Sequence, residues 1–279
     1  MNKPLTPFLI CFFLIPAVVA AGKLEKGYEA LKIYNYFKAK QLFCESVKAR
    51  PAGAYYGLSC IYSRNDNPFY NIDSAYVCIL RAGFLFETTP EKEKEKIKKL
   101  AVTEITINEL KISICKKAFD QYKGENTIES LEKFISFYDK AKQKVEAILL
   151  RDQLAFEVAV GTDTYEGYGD FINKYRGALQ IKEAKERYES VLYRTLTKNN
   201  TIESYESFII KYPQSPYREE AENAIYALSV PDGTIEQYHD FIKKYSGNHN
   251  VEISWRNIYA LYTIDFKPKS ITEFRSRFP

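Results

Sequence analysis

From residue 128 onward the apolar positions fall into a phase that returns every 33 to 37 residues. Aligned on Phe134, Phe171, Phe208, Phe241 and Phe274, the intervals are 37, 37, 33 and 33 residues. Three positions earlier stand Leu131, Tyr168, Tyr205, Tyr238 and Ile271. One position later stand Ile135, Ile172, Ile209 and Ile242, and four later Tyr138, Tyr175, Tyr212, Tyr245 and Phe278. Positions −3, 0, +1 and +4 share one face of an α-helix, so the pattern predicts five short amphipathic helices, each needing a cover for its apolar stripe.

The polar positions mark where these helices begin. Thr127, Thr164, Thr201 and Thr234 lie seven residues before their phenylalanines, where a hydroxyl accepts a hydrogen bond from the unpaired amides of a first turn. Glu129, Glu166, Glu203 and Glu236 follow two residues later and suit the positive end of the helix dipole. The stops vary. Pro213 and Pro279 directly follow the last aromatic, and Gly247 lies two beyond Tyr245.

Between successive aromatic helices lies a more charged helical segment, such as "SPYREEAENAIYALS" at 215–229. Ala147, Ala184 and Ala221 recur every 37 residues, and "AIYAL" at 224–228 returns as "NIYAL" at 257–261. Small residues at a fixed register let two helix backbones approach, so the repeating unit reads as a helix hairpin stacked on its neighbours.

A variant of this pattern opens the chain beyond residue 22. "GYEALKIYNYFKAKQLFCESVKARP" places Gly27, Tyr36, Ala39, Phe43, Ser46 and Pro51 at hairpin spacings, and a second unit continues with Leu58, Ser59, Tyr62, Ala75 and Ala82 around an extra "NDNPFYN" at 65–71. In these spacings the chain resembles exported tetratricopeptide repeat proteins of Gram-negative envelopes, over nearly all of residues 24–279. The "Y-x-x-F-I-x-x-Y-P-x-S" form of the later repeats looks like the envelope-assembly branch of that family. Together with "NPFYNIDSA" it is similar to the amino-terminal helical region of larger WG-repeat proteins. The resemblance implies an all-α, right-handed superhelical solenoid of stacked helix hairpins that serves as a binding scaffold, with no catalytic or cofactor residues to carry over.

Residues 89–124 break the pattern. Thr89 before Pro90 and Glu91 reads as a helix start, "EKEKEKIKK" as a solvated charged helix, and the next helix is expected to bury Leu110, Ile114 and Phe119. The organisation expected is therefore a leader at 1–21, two TPR-like hairpins at 22–88, an irregular connecting hairpin at 89–124, and four aromatic hairpins with an incomplete fifth at 125–279.

The leader rests on Lys3, an apolar run at 8–20 and the small residues of "VVAAG", which together read as a cleavable signal peptide. The run has 13 residues, short of the roughly 20 that span a bilayer. Cys11 lies inside that run and not behind its end, which argues against a lipoprotein. The reading is a periplasmic or secreted chain with no transmembrane span after cleavage. Export makes Cys44, Cys60, Cys78 and Cys115 matter. They are read as buried free thiols, with a Cys44–Cys60 bridge as the alternative.

Charge adds little. There are 40 Lys plus Arg against 36 Asp plus Glu, a net +4, and removing Lys3 leaves 39 against 36, or +3, which is no footprint for nucleic acid. No nucleophile elbow, phosphate loop, paired histidines or metal signature is present, and the two histidines read as a surface residue (His239) and a turn residue (His249). No enzyme, metal or cofactor is expected. The function expected is non-catalytic protein–protein interaction in the envelope. A spacer or presentation stalk forming the N-terminal part of a longer protein, or a cell-wall glycan module, is the alternative.

In stacked hairpins the first helices line the inner wall, so Tyr165, Glu166, Lys174, Glu203, Lys211, Glu236 and Lys244 are the candidate partner-binding residues. The tyrosines off the strict stripe, Tyr55, Tyr56, Tyr165 and Tyr217, are read as further candidate contacts. "SITEFRSRFP" begins a fifth aromatic helix without a second helix to cover it. Ile271, Phe274 and Phe278 are therefore expected to form a docking or continuation face, including for self-association.

Overall fold

The structure, a computed structural model, describes residues 22–278, and the signal-peptide reading of 1–21 lies outside them. Among the described residues there are fifteen helices and no strand. The chain divides into two compact units between Ala147 and Ile148.

The first unit holds α1 (Lys23–Lys32), α2 (Tyr36–Ser46), α3 (Pro51–Tyr62), α4 (Ile72–Thr88), α5 (Glu91–Lys98), α6 (Glu104–Glu125) and α7 (Ile128–Phe137). α1 packs with α2 and α3 with α4, as two hairpins. Gly27 and Gly57 are required by Phe43. A Cβ on either would come within 2.8 and 2.5 Å of its ring, while Phe43 itself is fully buried. Asn35 and Asn71 cap α2 and α4 through their side-chain oxygens.

Thr89 does not start α5. Its hydroxyl donates back to the Leu85 carbonyl at 2.6 Å and closes α4, so Pro90 takes the cap position with no side-chain cap. α5 is held by Arg50, which donates to Glu93 at 2.5 Å and to Glu25, and by Ile97, which is 1% exposed. Ile114 and Phe119 are buried as expected, and Leu110 is half-buried. α7 brings Phe134 within 5.4 Å of Phe119, and the hydroxyls of Tyr122 and Tyr138 both donate to Asp73, at 2.9 and 2.7 Å.

α8 (Lys144–Thr162) contains the division point. The second unit continues with α9 (Tyr165–Lys174), α10 (Ile181–Leu196), α11 (Ile202–Lys211), α12 (Arg218–Ser229), α13 (Ile235–Lys244), α14 (Val251–Tyr262) and α15 (Pro268–Arg277). Here α9 packs on α10, α11 on α12 and α13 on α14. α7, α9, α11, α13 and α15 each carry their phenylalanine at the seventh helical position. Thr127, Thr164, Thr201 and Thr234 cap the first four by accepting from a backbone N–H three residues on. α15 begins at Lys267–Pro268 without a side-chain cap.

The aromatic at +4 is the residue that ends the helix. The N–H of Tyr138, Tyr175, Tyr212, Tyr245 and Phe278 donates to the carbonyl of its phenylalanine at 2.8 to 2.9 Å. In the first four repeats the carbonyl of that tyrosine then accepts from Ala141, Ala178, Ser215 or Asn248, and theirs from Lys144, Ile181, Arg218 or Val251. Two linked turns thus join first to second helix in the same way four times. Ala147, Ala184 and Ala221 are fully buried at the close approach, and Ser254 fills the fourth such site, also fully buried.

Fifteen residues before each phenylalanine stands another aromatic, on the preceding helix. Phe119, Phe156, Tyr193, Tyr226 and Tyr259 lie 5.4, 5.4, 5.2, 5.2 and 5.2 Å from Phe134, Phe171, Phe208, Phe241 and Phe274. This ring pair recurs on each stripe, with Phe119 and Phe156 buried, Tyr193 and Tyr226 half-buried and Tyr259 exposed, and full burial of such a side chain stabilises by about 1.5–3 kcal/mol.

Candidate interaction surface

The predicted surface residues sit at two fixed places on α9, α11 and α13. Glu166, Glu203 and Glu236 are exposed in the first turns, and Lys174, Lys211 and Lys244 are the last residue of each helix. The placement follows from the helix dipole, which favours carboxylates at the start and ammonium groups at the end.

Each lysine lies over the ring of the tyrosine that follows it. Lys174, Lys211 and Lys244 stand 5.1, 5.4 and 4.8 Å from the ring centres of Tyr175, Tyr212 and Tyr245. Lys244 also reaches Glu206 on the neighbouring α11 at 3.2 Å, and the Tyr245 hydroxyl donates to the same carboxylate at 2.8 Å. These donors hold Glu206 below the usual carboxylate range, the Tyr245 hydroxyl contributing most. Arg277 of α15 approaches Glu236 of α13 at 3.6 Å.

Tyr165 is half-buried, edge-on to Tyr188 at 6.3 Å, and its hydroxyl is pushed up chiefly by its hydrogen bond to Glu166. Tyr188 is pushed up first by burial, then by Tyr212, Glu189 and Glu166, with Lys211 pulling it down. Of the predicted residues, Tyr165 is in ring contact with Tyr188, and the charges of Glu166 and Lys211 act on the Tyr188 hydroxyl. Lys174, Glu203, Glu236 and Lys244 are not part of that group. Glu206, Tyr188 and Arg277 belong to the same surface and were not among the predicted residues. The +3 and −5 register of the charges was the available signal for Arg277.

The remaining off-stripe tyrosines are half-buried. Tyr217 stacks on Tyr193 at 4.9 Å and 12°, Tyr55 accepts from Arg81 at 3.1 Å, and burial pushes Tyr56 up to about 12. His239 is also not a plain surface residue, because it lies 5.1 Å from Phe278 and 6.3 Å from Trp255. His249 faces the buried carboxylate of Glu222 through Nδ1 at 2.7 Å. The cysteines are free, but against the expectation that all four are buried, Cys44 is exposed and Cys60 half-buried, with Cys78 and Cys115 buried. Cys44 lies on α2 one residue after fully buried Phe43, turned about 100° from it around the helix.

Ile271, Phe274 and Phe278 are half-buried, whereas Phe134, Phe171, Phe208 and Phe241 are at most 3% exposed. α14 covers one side of α15. Phe274 meets Tyr259 at 5.2 Å and Phe278 meets Trp255 at 5.7 Å.

Among the described residues no group of three or more His, Cys, Asp and Glu side chains is placed to hold a metal ion, and no helix is long and apolar enough to cross a membrane. Compared with protein-family models, curated proteins and solved structures, the chain finds no match.

Proposed function

We propose that the protein is a non-catalytic interaction scaffold of the cell envelope, built as a TPR-like right-handed superhelix of stacked hairpins. Its working face is the exposed side of α9, α11 and α13. The observation that carries this reading is the return of one surface unit, a first-turn glutamate and a terminal lysine lying over a tyrosine, on three successive first helices. Such a surface suits an extended polypeptide that meets the same chemistry at each repeat. Its charges are arranged for specificity more than for affinity.

Crosslinking of the intact chain in envelope extracts, followed by mass spectrometry, tests it. A stoichiometric protein partner is expected to crosslink to α9, α11 and α13 and to be lost from the Lys174→Glu, Lys211→Glu, Lys244→Glu variant. Capture unaffected by that variant would remove the proposal. A spacer role draws on the same geometry, because Lys244 and Arg277 pair with Glu206 and Glu236 between helices. For a spacer no specific partner is retained.

A further inference from the structure

In the second unit every first helix lays its aromatic stripe on the helix before it. α5 occupies the corresponding place in the chain between α4 and α6, but its sequence, EKEKEKIK, supplies a single apolar side chain, Ile97. That side chain is spent at Leu24 and Gly53, since a Cβ on Gly53 would lie 2.8 Å from Leu24 and 3.4 Å from Ile97. The facing flanks of α4 and α6 are thus left without the stripe that covers their counterparts.

They enclose a groove of about 910 Å³ with Ile79, Gly83 and Ile107 among its lining residues. Its walls carry Phe84 and Ile105, which are 68% and 70% exposed. A smaller recess of about 210 Å³ prolongs it along α6 past Ile112, beside 140–143. Ile105, Asn108, Ile112 and Cys115 are spaced by three, four and three residues, one face of α6. Ten residues of helix make the track about 15 Å long.

Lys94, Lys111, Lys140 and Lys142 line the two recesses, against Glu87 and Glu104, so four positive charges face two negative ones, a balance of +2. At the far end the side-chain oxygen of Gln143 is buried without a hydrogen-bond partner. The lysines are distributed along the track. A lipid anion, with one charged head and an apolar tail, would call for them at one end. An amphipathic helix with carboxylates beside its apolar face matches charges spread along its length.

We infer that this groove docks an acidic amphipathic helix of a partner protein, with its apolar face on Phe84, Ile105 and Ile112 and its carboxylates toward Lys111, Lys140 and Lys142. The site lies wholly in the first unit. It is independent of the α9, α11 and α13 face and stands or falls without it.

Fluorescence anisotropy with the full chain tests this. The probe is a labelled synthetic helix of about three turns, with leucine and isoleucine at i, i+3, i+4 and i+7 and glutamate elsewhere. The acidic peptide is expected to bind saturably. Phe84→Asp with Ile105→Asp is expected to weaken it by about tenfold or more, with an unchanged thermal melt because both side chains are exposed. Lys111→Glu with Lys140→Glu is expected to transfer the preference to a peptide carrying lysine in place of every glutamate. Equal binding of the acidic and lysine peptides to the unaltered chain would overturn the inference. So would indifference to the Phe84 and Ile105 changes, absence of binding, or capture of dodecanoate in place of the peptide.

Discussion

One residue in the left-handed backbone region stands directly before the first-helix cap of each aromatic repeat. These residues are Asn126, Asp163, Asn200, Gly233 and Phe266, with φ between 45° and 63°. Asn, Asp and Gly tolerate this region, and in two repeats the side chain is also used, since Tyr168 donates to Asp163 at 3.2 Å and Tyr205 to Asn200 at 2.8 Å. Phe266 has no such compensation and is 90% exposed. Phe266→Gly is expected to raise stability by about 0.5–1 kcal/mol, and Gly233→Ala to lower it by about 1 kcal/mol or more, with its Cβ 3.2 Å from the Tyr238 hydroxyl. Urea titration of the two variants measures both, and a loss on Phe266→Gly would contradict the strain. The thiols divide in a similar way. Burial pushes Cys60 up to about 12, Cys78 to about 11, and Cys115 upward. Iodoacetamide at mildly alkaline pH is expected to label exposed Cys44 first and these three only on unfolding, as read by peptide mass mapping.

At the scale of the helix, the depth of the aromatic seam sets what a truncation removes. Phe208 is 1% exposed, between Tyr193 and Tyr212 at 5.2 and 5.6 Å. Phe208→Ala is expected to lose about 3–5 kcal/mol. Phe274→Ala, at a half-buried site, is expected to lose less than half of that, and equal losses would refute the difference in covering. The turn between α13 and α14 carries a polar counterpart. Glu222 is 6% exposed, faces His249 Nδ1 at 2.7 Å and accepts from Arg218 at 2.8 Å. Burial by itself raises its pKa, but the donors from His249 and Arg218 outweigh it and hold the group below its ordinary 4.5. A depressed folded-state pKa stabilises the fold above the unfolded value, and the contribution is lost as pH falls through the folded one. Glu222→Gln should therefore be less stable than the parent above about pH 4.5. The gap should close at lower pH, and a gap that widens in acid would reverse the assignment.

For the molecule as a whole, the division between Ala147 and Ile148 defines two bodies with their own cores. In the second, described helices contact chiefly their sequence neighbours, so stability is close to a sum of local hairpins and the seams between them. Phe208→Ala is expected to speed hydrogen exchange through 181–258 while leaving amides of α3, α4 and α6 protected. Uniform loss of protection over both units would show a single cooperative block.

How far the sequence went depended on the range of each interaction. The phenylalanine register, the threonine caps and the buried alanines could all be read from it, because helix periodicity and capping act within about ten residues. Thr89 was misread because its hydroxyl turns back to the Leu85 carbonyl four residues earlier, at the end of α4, and a helix-start pattern does not show that direction. The lysines of α9, α11 and α13 were named as surface candidates, and each lies over the ring of the residue that follows it, but the pairing of Lys244 with Glu206 depends on a helix more than thirty residues away. The groove beside α5 was out of reach for the same reason. A charged octapeptide is an ordinary solvated helix until the flanks of α4 and α6 are brought face to face, and then its missing stripe becomes an open surface. Local pattern determined the elements, and tertiary packing alone decided which apolar and charged side chains remained available to anything else.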